Sequence, residues 1–325
     1  MELSTLMREL KTAWPVAYAE VSCSKLQAVN LKEHLVSTAQ LVIELFSERL
    51  DYLEQRYKDA EQCIGSIKDI AYLAGLLHDL GKASVYYLNT FIKKTAGSSY
   101  RSRPLEECQE SKLQFTYHEY IAPIIIIYAL RNELSSHAMD SSEARRMKNA
   151  YYTISRIIVR HHAAMAGRHP AELLSSGKGP GKHSKVLDVL RGLCNKESKI
   201  EDLLRELKGV CTSRFCIELL EKIRRNLGAV CKDPKSAVVE INAVKAFELM
   251  DYCGISEYDS YRIVSTISGF LIVADNMAAS YCENRASDDE STPAYIEIWG
   301  RELKNKLSKL KELKDEYLSV RCRWP

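Results

Sequence analysis

Apolar residues recur at helical spacing along most of this chain. Residues 31–57 read as one long amphipathic helix: Leu31, Leu35, Thr38, Val42, Leu45 and Phe46 share a face, acids and Arg49 lie opposite, and His34 borders the inward side. Residues 67–80 are apolar nearly all round, which predicts a buried helix. It ends in Leu77-His78-Asp79-Leu80-Gly81-Lys82, where Gly81 suits a C′ position and a turn back toward the helix end. Residues 89–116 are polar and contain Ser and Arg, the composition of a connection. Tyr117-His118-Glu119 follows, then Pro123 and four consecutive isoleucines. Propensity would allow a strand there. Pro123 suits a helical first turn and both flanks are helical, so a helix is predicted.

Residues 141–165 predict another helix, with Ile154, Ile157, Ile158 and His161 on one face and His162 over Ile158 and Val159. A Gly- and Lys-rich loop at 175–185 carries Lys178, Lys182, His183 and Lys185 and no acid. Residues 186–250 have the pattern of several ordinary amphipathic helices. Residues 261–281 are the most apolar helix of all, and Asp275 sits inside it. Residues 296–320 form a charged helix with a leucine stripe suited to docking on the parent domain. The fold class is therefore all-α, without internal repeats.

Composition narrows the picture only a little. A net charge of +3 is too small to imply nucleic acid by itself. Glu2, Arg8, Glu9 and Lys11 break the first apolar residues, so no secretory leader is expected. The longest apolar stretch, Ile263 to Ala279, contains Ser265, Ser268 and Asp275, and no membrane association is expected. Ten cysteines without a leader suggest a reduced, cytoplasmic protein in which they act as small buried apolar residues. Their spacing gives no zinc pattern.

The chemistry lies in polar residues that occupy positions meant for apolar ones: His34, His78, Asp79, His118, His161, His162 and Asp275. Each alone suits a hydrogen-bonded core residue. Together they place five of the chain's eight histidines and two carboxylates on five helices, all facing inward. Unpaired buried carboxylates cost several kcal/mol, and a bound cation removes that cost. Imidazole with carboxylate suits Mn, Fe, Co, Ni or Zn, with Mg less natural. Seven ligands exceed one tetrahedral ion and match two ions sharing a bridging carboxylate. Two such ions can hold a hydroxide and neutralise charge on a phosphoryl group during in-line attack.

The order His, His-Asp, His, His-His, Asp resembles the HD superfamily of metal-dependent phosphohydrolases. His34-Leu35, His78-Asp79-Leu80-Gly81-Lys82, His118-Glu119, His161-His162 and Ala274-Asp275-Asn276 are most similar to the HD nuclease of type I CRISPR systems. The resemblance covers residues 30–165 and 260–283 and implies an HD-domain helical bundle. On that basis residues 1–169 and 256–325 are two parts of one HD domain, and 170–255 are a helical insertion. It implies one metal on His34, His78, Asp79 and Asp275, and a second on Asp79, His118, His161 and His162, with Asp79 bridging. Lys82 would stand near the scissile phosphate as an electrostatic or general-acid group; a surface lysine at a helix C-terminus is its plainer reading. The implied activity is metal-dependent cleavage of single-stranded DNA in CRISPR interference. The implied partners are a separate CRISPR helicase chain and an RNA-guided effector complex. No P-loop exists here: Leu76 and Ser176 stand where Gly81-Lys82 and Gly181-Lys182 would need a glycine.

Local charge is compatible with a DNA path. From Leu80 to Leu105 there is no acid, while Lys82, Lys93, Lys94, Arg101 and Arg103 alternate with Tyr86, Tyr87, Phe91 and Tyr100. From Ala144 to Ala171 there is again none, with Arg160 and Arg168 among the bases. With Lys178 and Lys182 these are the candidate DNA contacts. The competing reading puts the same charges on solvated helix faces and the aromatics in the core. Two other functions compete: an HD-type hydrolase of nucleotides or cyclic nucleotides, and a non-catalytic subunit of a CRISPR complex. Ala163 replaces the Glu that the cyclic-di-GMP type carries after its His-His pair.

Overall fold

The computed structural model describes residues 3–22, 25–97, 111–136, 142–162, 180–239 and 256–283. The chain opens with α1 (Leu3–Ala13), whose Leu6 and Leu10 point inward, followed by buried Trp14. Strands β1 (Val16–Ser22) and β2 (Lys25–Asn30) form an antiparallel hairpin, and β3 (Ser111–Lys112) adds to the other edge of β1. Ala19 and Val21 of β1 are buried while Tyr18 and Glu20 are half-exposed, the period-two alternation of a strand lying on a core.

Asn30 then caps α2 (Leu31–Leu45) by accepting from the Lys32 and Glu33 amides. The single long helix expected over 31–57 is broken at Phe46, whose φ of −113° and ψ of 17° end α2 and start α3 (Ser47–Arg56). Phe46 keeps its inward position, stacked on Phe270 with ring centres 4.1 Å apart. Next come α4 (Lys58–Ile64) and α5 (Ile67–Leu77), the latter capped by Ser66. A 3-10 turn over Leu80–Ala83 leads into α6 (Val85–Gly97), so part of the expected polar connection is helical.

A 3-10 turn at His118–Tyr120 enters α7 (Ile121–Ser136), and the isoleucine run is helical as expected. The remaining helices are α8 (Ser142–Arg160), α9 (Pro180–Leu193), α10 (Ile200–Lys208), α11 (Arg214–Lys232), α12 (Pro234–Val239) and α13 (Glu257–Glu283). The all-α expectation holds, with the small sheet as an addition. The helix expected at 296–320 lies outside the described residues.

Helix α5 is the hub, packed against α2, α3, α8 and α13. Its Leu73, Leu76 and Leu77 are fully buried, and each contributes roughly 1.5–3 kcal/mol by leaving water. Gly75 permits the closest of these approaches: a Cβ there would lie 2.6 Å from Ala39 Cα on α2. Helix α13 contains a stretch long and apolar enough to cross a bilayer, but more than half of its most apolar 18 residues are buried in this protein. Helices α9 to α12 share one continuous hydrophobic cluster with the rest. Within them Cys194–Cys231 and Cys211–Cys216 form disulfides, where free thiols were expected. Packing brings the ends of α9 and α11 together, which cysteine spacing alone does not reveal.

Candidate metal centre

Five elements converge at one end of α5. His34 comes from the first turn of α2 and Asp275 from α13. His78 and Asp79 end α5, His118 opens the second 3-10 turn, and His161 and His162 follow α8. All are buried except Asp275, which is mostly so. Their ligand atoms fall into two groups, His34, His78, Asp79 and Asp275, and Asp79, His118, His161 and His162. Within each group the atoms lie within 4.8 Å of one another, and Asp79 belongs to both.

Asp79 sits at the centre. Its Oδ2 is 3.2 Å from His34 Nε2 and 3.3 Å from His78 Nε2; its Oδ1 is 2.8 Å from His118 Nε2 and 3.7 Å from His161 Nε2. Asp275 Oδ1 is 3.1 Å from His34 Nε2 and 3.3 Å from His78 Nε2. His162 Nε2 and His118 Nε2 are 2.9 Å apart.

The backbone sets which nitrogen faces inward. His78 Nδ1 donates to Gly75 O at 2.8 Å, His118 Nδ1 to Phe115 O at 2.9 Å, and His161 Nδ1 to Ile158 O. A neutral imidazole that donates from Nδ1 has a bare lone pair on Nε2. Three such lone pairs therefore point at carboxylate oxygens, and that of His118 also faces His162 Nε2. Acceptor facing acceptor at these distances is repulsive unless a cation lies between. Neither Asp79 oxygen, His34 Nε2 nor His161 Nε2 finds a well-directed hydrogen bond. The donor set and its orphaned buried atoms fit a divalent metal ion.

Without a metal, a proton takes the role of the cation. Burial opposes a charged His78, but Asp79 and Asp275 outweigh it and hold its pKa up at about 10. Burial works against the Asp79 anion too, yet His78, Lys82 and His118 keep its carboxyl well below the ordinary range. Asp275 is likewise held low, against burial, mainly by His78. Burial, then His161 and His118, push His162 far down, so that ring is neutral and one of its nitrogens offers a lone pair.

Lys82 reaches back over the turn to put Nζ 2.6 Å from Asp79 Oδ2 and 5.3 Å from the centre of the Phe115 ring. Gly81 does not provide a left-handed cap, as its C′ reading required. Its role is close approach: a Cβ there would meet His118 O and lie 2.9 Å from His118 Cα. The turn is held from outside as well. Trp14 Nε1 donates to Ala83 O at 3.0 Å, and Ser84 Oγ to Val189 O on α9 at 2.6 Å. Tyr87 OH donates to Thr116 O at 2.6 Å, beside Tyr117, whose φ of 67° lies in the left-handed region. Sequence reasoning missed these supports. They act through backbone carbonyls and long-range packing, which leave no residue-type signature.

Comparison with known protein families, with curated proteins and with solved structures finds no match.

The candidate DNA contacts fare differently from the ligands. Lys93 and Lys94 are exposed on α6. Of the aromatics meant to alternate with them, Tyr87 and Phe91 are buried in the core and Tyr86 is half-buried, while Tyr100 lies outside the described residues. Arg160 turns away from the centre, with Nη1 2.8 Å from Ser265 Oγ. Arg101, Arg103, Arg168 and Lys178 lie outside the described residues, as does the side chain of Lys182 at the start of α9.

Proposed function

We propose that this chain is a metal-dependent phosphodiesterase that cleaves single-stranded DNA. The observation that carries the reading is the pair of four-residue ligand groups joined through Asp79. His34, His78, Asp79 and Asp275 would hold one divalent ion, and Asp79, His118, His161 and His162 the other. The imidazole and carboxylate donors favour Mn, Fe, Co or Ni, with Mg less suited. Bound there, the two ions would supply a nucleophile at neutral pH and neutralise charge developing on the phosphoryl oxygens.

The chain's own residues prepare that chemistry. Gly75, Phe115 and Ile158 carbonyls fix three imidazoles with Nε2 inward, so the lone pairs are aligned before any ion arrives. Helices α2, α5, α8 and α13 pack on one another, and the cluster they carry is largely buried. Lys82 is in contact with Asp79, placed to meet a phosphate oxygen or to protonate a leaving oxygen. The order of the ligand motifs, similar to CRISPR HD nucleases, supports DNA as the polymer and a helicase chain with an RNA-guided complex as partners. Unwinding by ATP would fall to that other chain.

The test is incubation of purified protein with end-labelled single-stranded DNA and Mn²⁺. Cleavage that stops with EDTA is expected. Intact DNA together with hydrolysis of nucleotides or cyclic nucleotides would replace the polymer with a small substrate. Neither reaction at any metal would leave a scaffold.

A further inference from the structure

Among the described residues of α6 the aromatic side chains are buried or half-buried, whereas exposed rings beside arginines occur at the start of α13. Tyr258 and Tyr261 are 65 % and 46 % exposed, two of five large apolar side chains that remain exposed among the described residues. They sit at i and i+3, neighbours on one helix face. Each carries a guanidinium: Arg262 lies 5.4 Å from the centre of the Tyr258 ring, and Arg160, reaching across from α8, lies 4.6 Å from that of Tyr261. Arg160 is also anchored on Ser265, one turn further along the same face. Two acids, Glu257 and Asp259, share that first turn, and Asp259 accepts from Ser256 Oγ at 2.7 Å in the helix cap.

The patch is in line with the metal centre. Tyr261 and Asp275 are 14 residues apart, close to four full turns, so they project from nearly the same side of α13 about 21 Å apart. That separation corresponds to about six stacked nucleotides at ~3.4 Å each. Arg160 is followed directly by His161 and His162, so α8 also runs from the patch into the ligand set.

We infer that Tyr258 and Tyr261, flanked by Arg160 and Arg262, form a stacking platform for bases of the single strand whose backbone enters the metal centre. The inference rests on the polynucleotide reading above and adds where the strand lies. Exposed rings stack on bases without regard to sequence, and guanidinium groups beside them meet the phosphates. A small phosphodiester needs only the metal centre; a strand needs both.

The experiment uses the full chain in EDTA, where no cleavage occurs, with a fluorescein-labelled 12-nucleotide oligothymidine followed by fluorescence anisotropy. Tyr258→Ala combined with Tyr261→Ala should weaken binding by at least about 10-fold. Tyr258→Phe combined with Tyr261→Phe keeps both rings and should bind within about 2-fold of wild type, since stacking needs only the ring. Mn²⁺-dependent hydrolysis of bis(p-nitrophenyl) phosphate should be unchanged in both variants, which also reports intact folding. Equal oligonucleotide affinity in the alanine variant would overturn the platform. A wild type that hydrolyses the small ester but binds no oligonucleotide would overturn both the platform and the DNA reading, and spare the metal centre. A wild type that hydrolyses nothing, yet loses oligonucleotide binding in the alanine variant, would support the platform and overturn the nuclease reading.

Discussion

Replacing Gly81 by Ala adds one methyl group where the Leu80–Ala83 turn meets the His118 turn. The new Cβ would lie against His118 O, 2.9 Å from His118 Cα and 2.9 Å from Ile121 Cβ. Two of these three atoms belong to backbone that cannot rotate away. Overpacking of this kind costs about 1–3 kcal/mol. For a chain of 325 residues that corresponds to a fall in Tm of about 2–6 °C. The displacement falls most directly on His118, which belongs to one group only. Affinity for the ion held by Asp79, His118, His161 and His162 should fall on the order of 10–100-fold, and the other ion should bind as before. Gly228→Ala on α11 is the control: a Cβ there meets nothing within 4 Å, and removing a glycine from a helix interior should stabilise by about 0.5–1 kcal/mol. Calorimetry with Mn²⁺ titration measures both effects. A Gly81→Ala protein with unchanged Tm and two unchanged affinities would refute the close packing of the turn on His118.

Three further outcomes follow from the same geometry. Metal-free protein should lose stability as pH rises from about 6.5 toward about 10, because His78 is held protonated there only in the folded state and its ordinary pKa is about 6.5; thermal melts in EDTA that stay flat over this range would contradict it. Asp79 and Asp275, held low, contribute stability above about pH 4 that disappears in acid, so the metal-free optimum lies between about pH 4 and 6.5, and Mn²⁺ affinity should increase with pH as the His78 proton is expelled. Opening Cys194–Cys231, which closes a separation of 37 residues, should cost about 4 kcal/mol by loop-closure entropy, read as a lower Tm in dithiothreitol or in the double alanine variant.

The buried His and Asp cluster was legible in the sequence because each member violates its surroundings. His34, His78, Asp79, His118, His161, His162 and Asp275 interrupt inward-facing apolar positions, and a polar residue in such a place needs a partner. Helices such as α5, α7 and α13 were legible for the complementary reason, since their apolar runs have no polar face to confuse the period. Phe46 was not: it ends α2 while keeping its side chain on the inward face, so the periodicity runs through the break. Helix α6 was missed because Asn89, Thr90, Lys93 and Lys94 give its outer face the composition of a loop. The three-stranded sheet depends on β3, some 90 residues beyond β1 in the chain, and no local pattern announces that pairing. Tyr87 and Phe91 show the limit of charge and aromatic alternation. The same letters describe a stacking surface and a core helix, and only packing decides. Tyr258 and Tyr261 show the converse, since nothing in their sequence surroundings marks them as exposed.

As proposed, Asp79 joins two metal sites into one centre. Metal content of the purified chain, measured after equilibration with Mn²⁺ and desalting, tests it most directly. Wild type should retain two ions per chain, Asp275→Ala one, and Asp79→Ala none, with single-stranded DNA cleavage lost in the last. An Asp79→Ala protein that keeps either ion at wild-type affinity, or a wild type that binds none, would contradict the account.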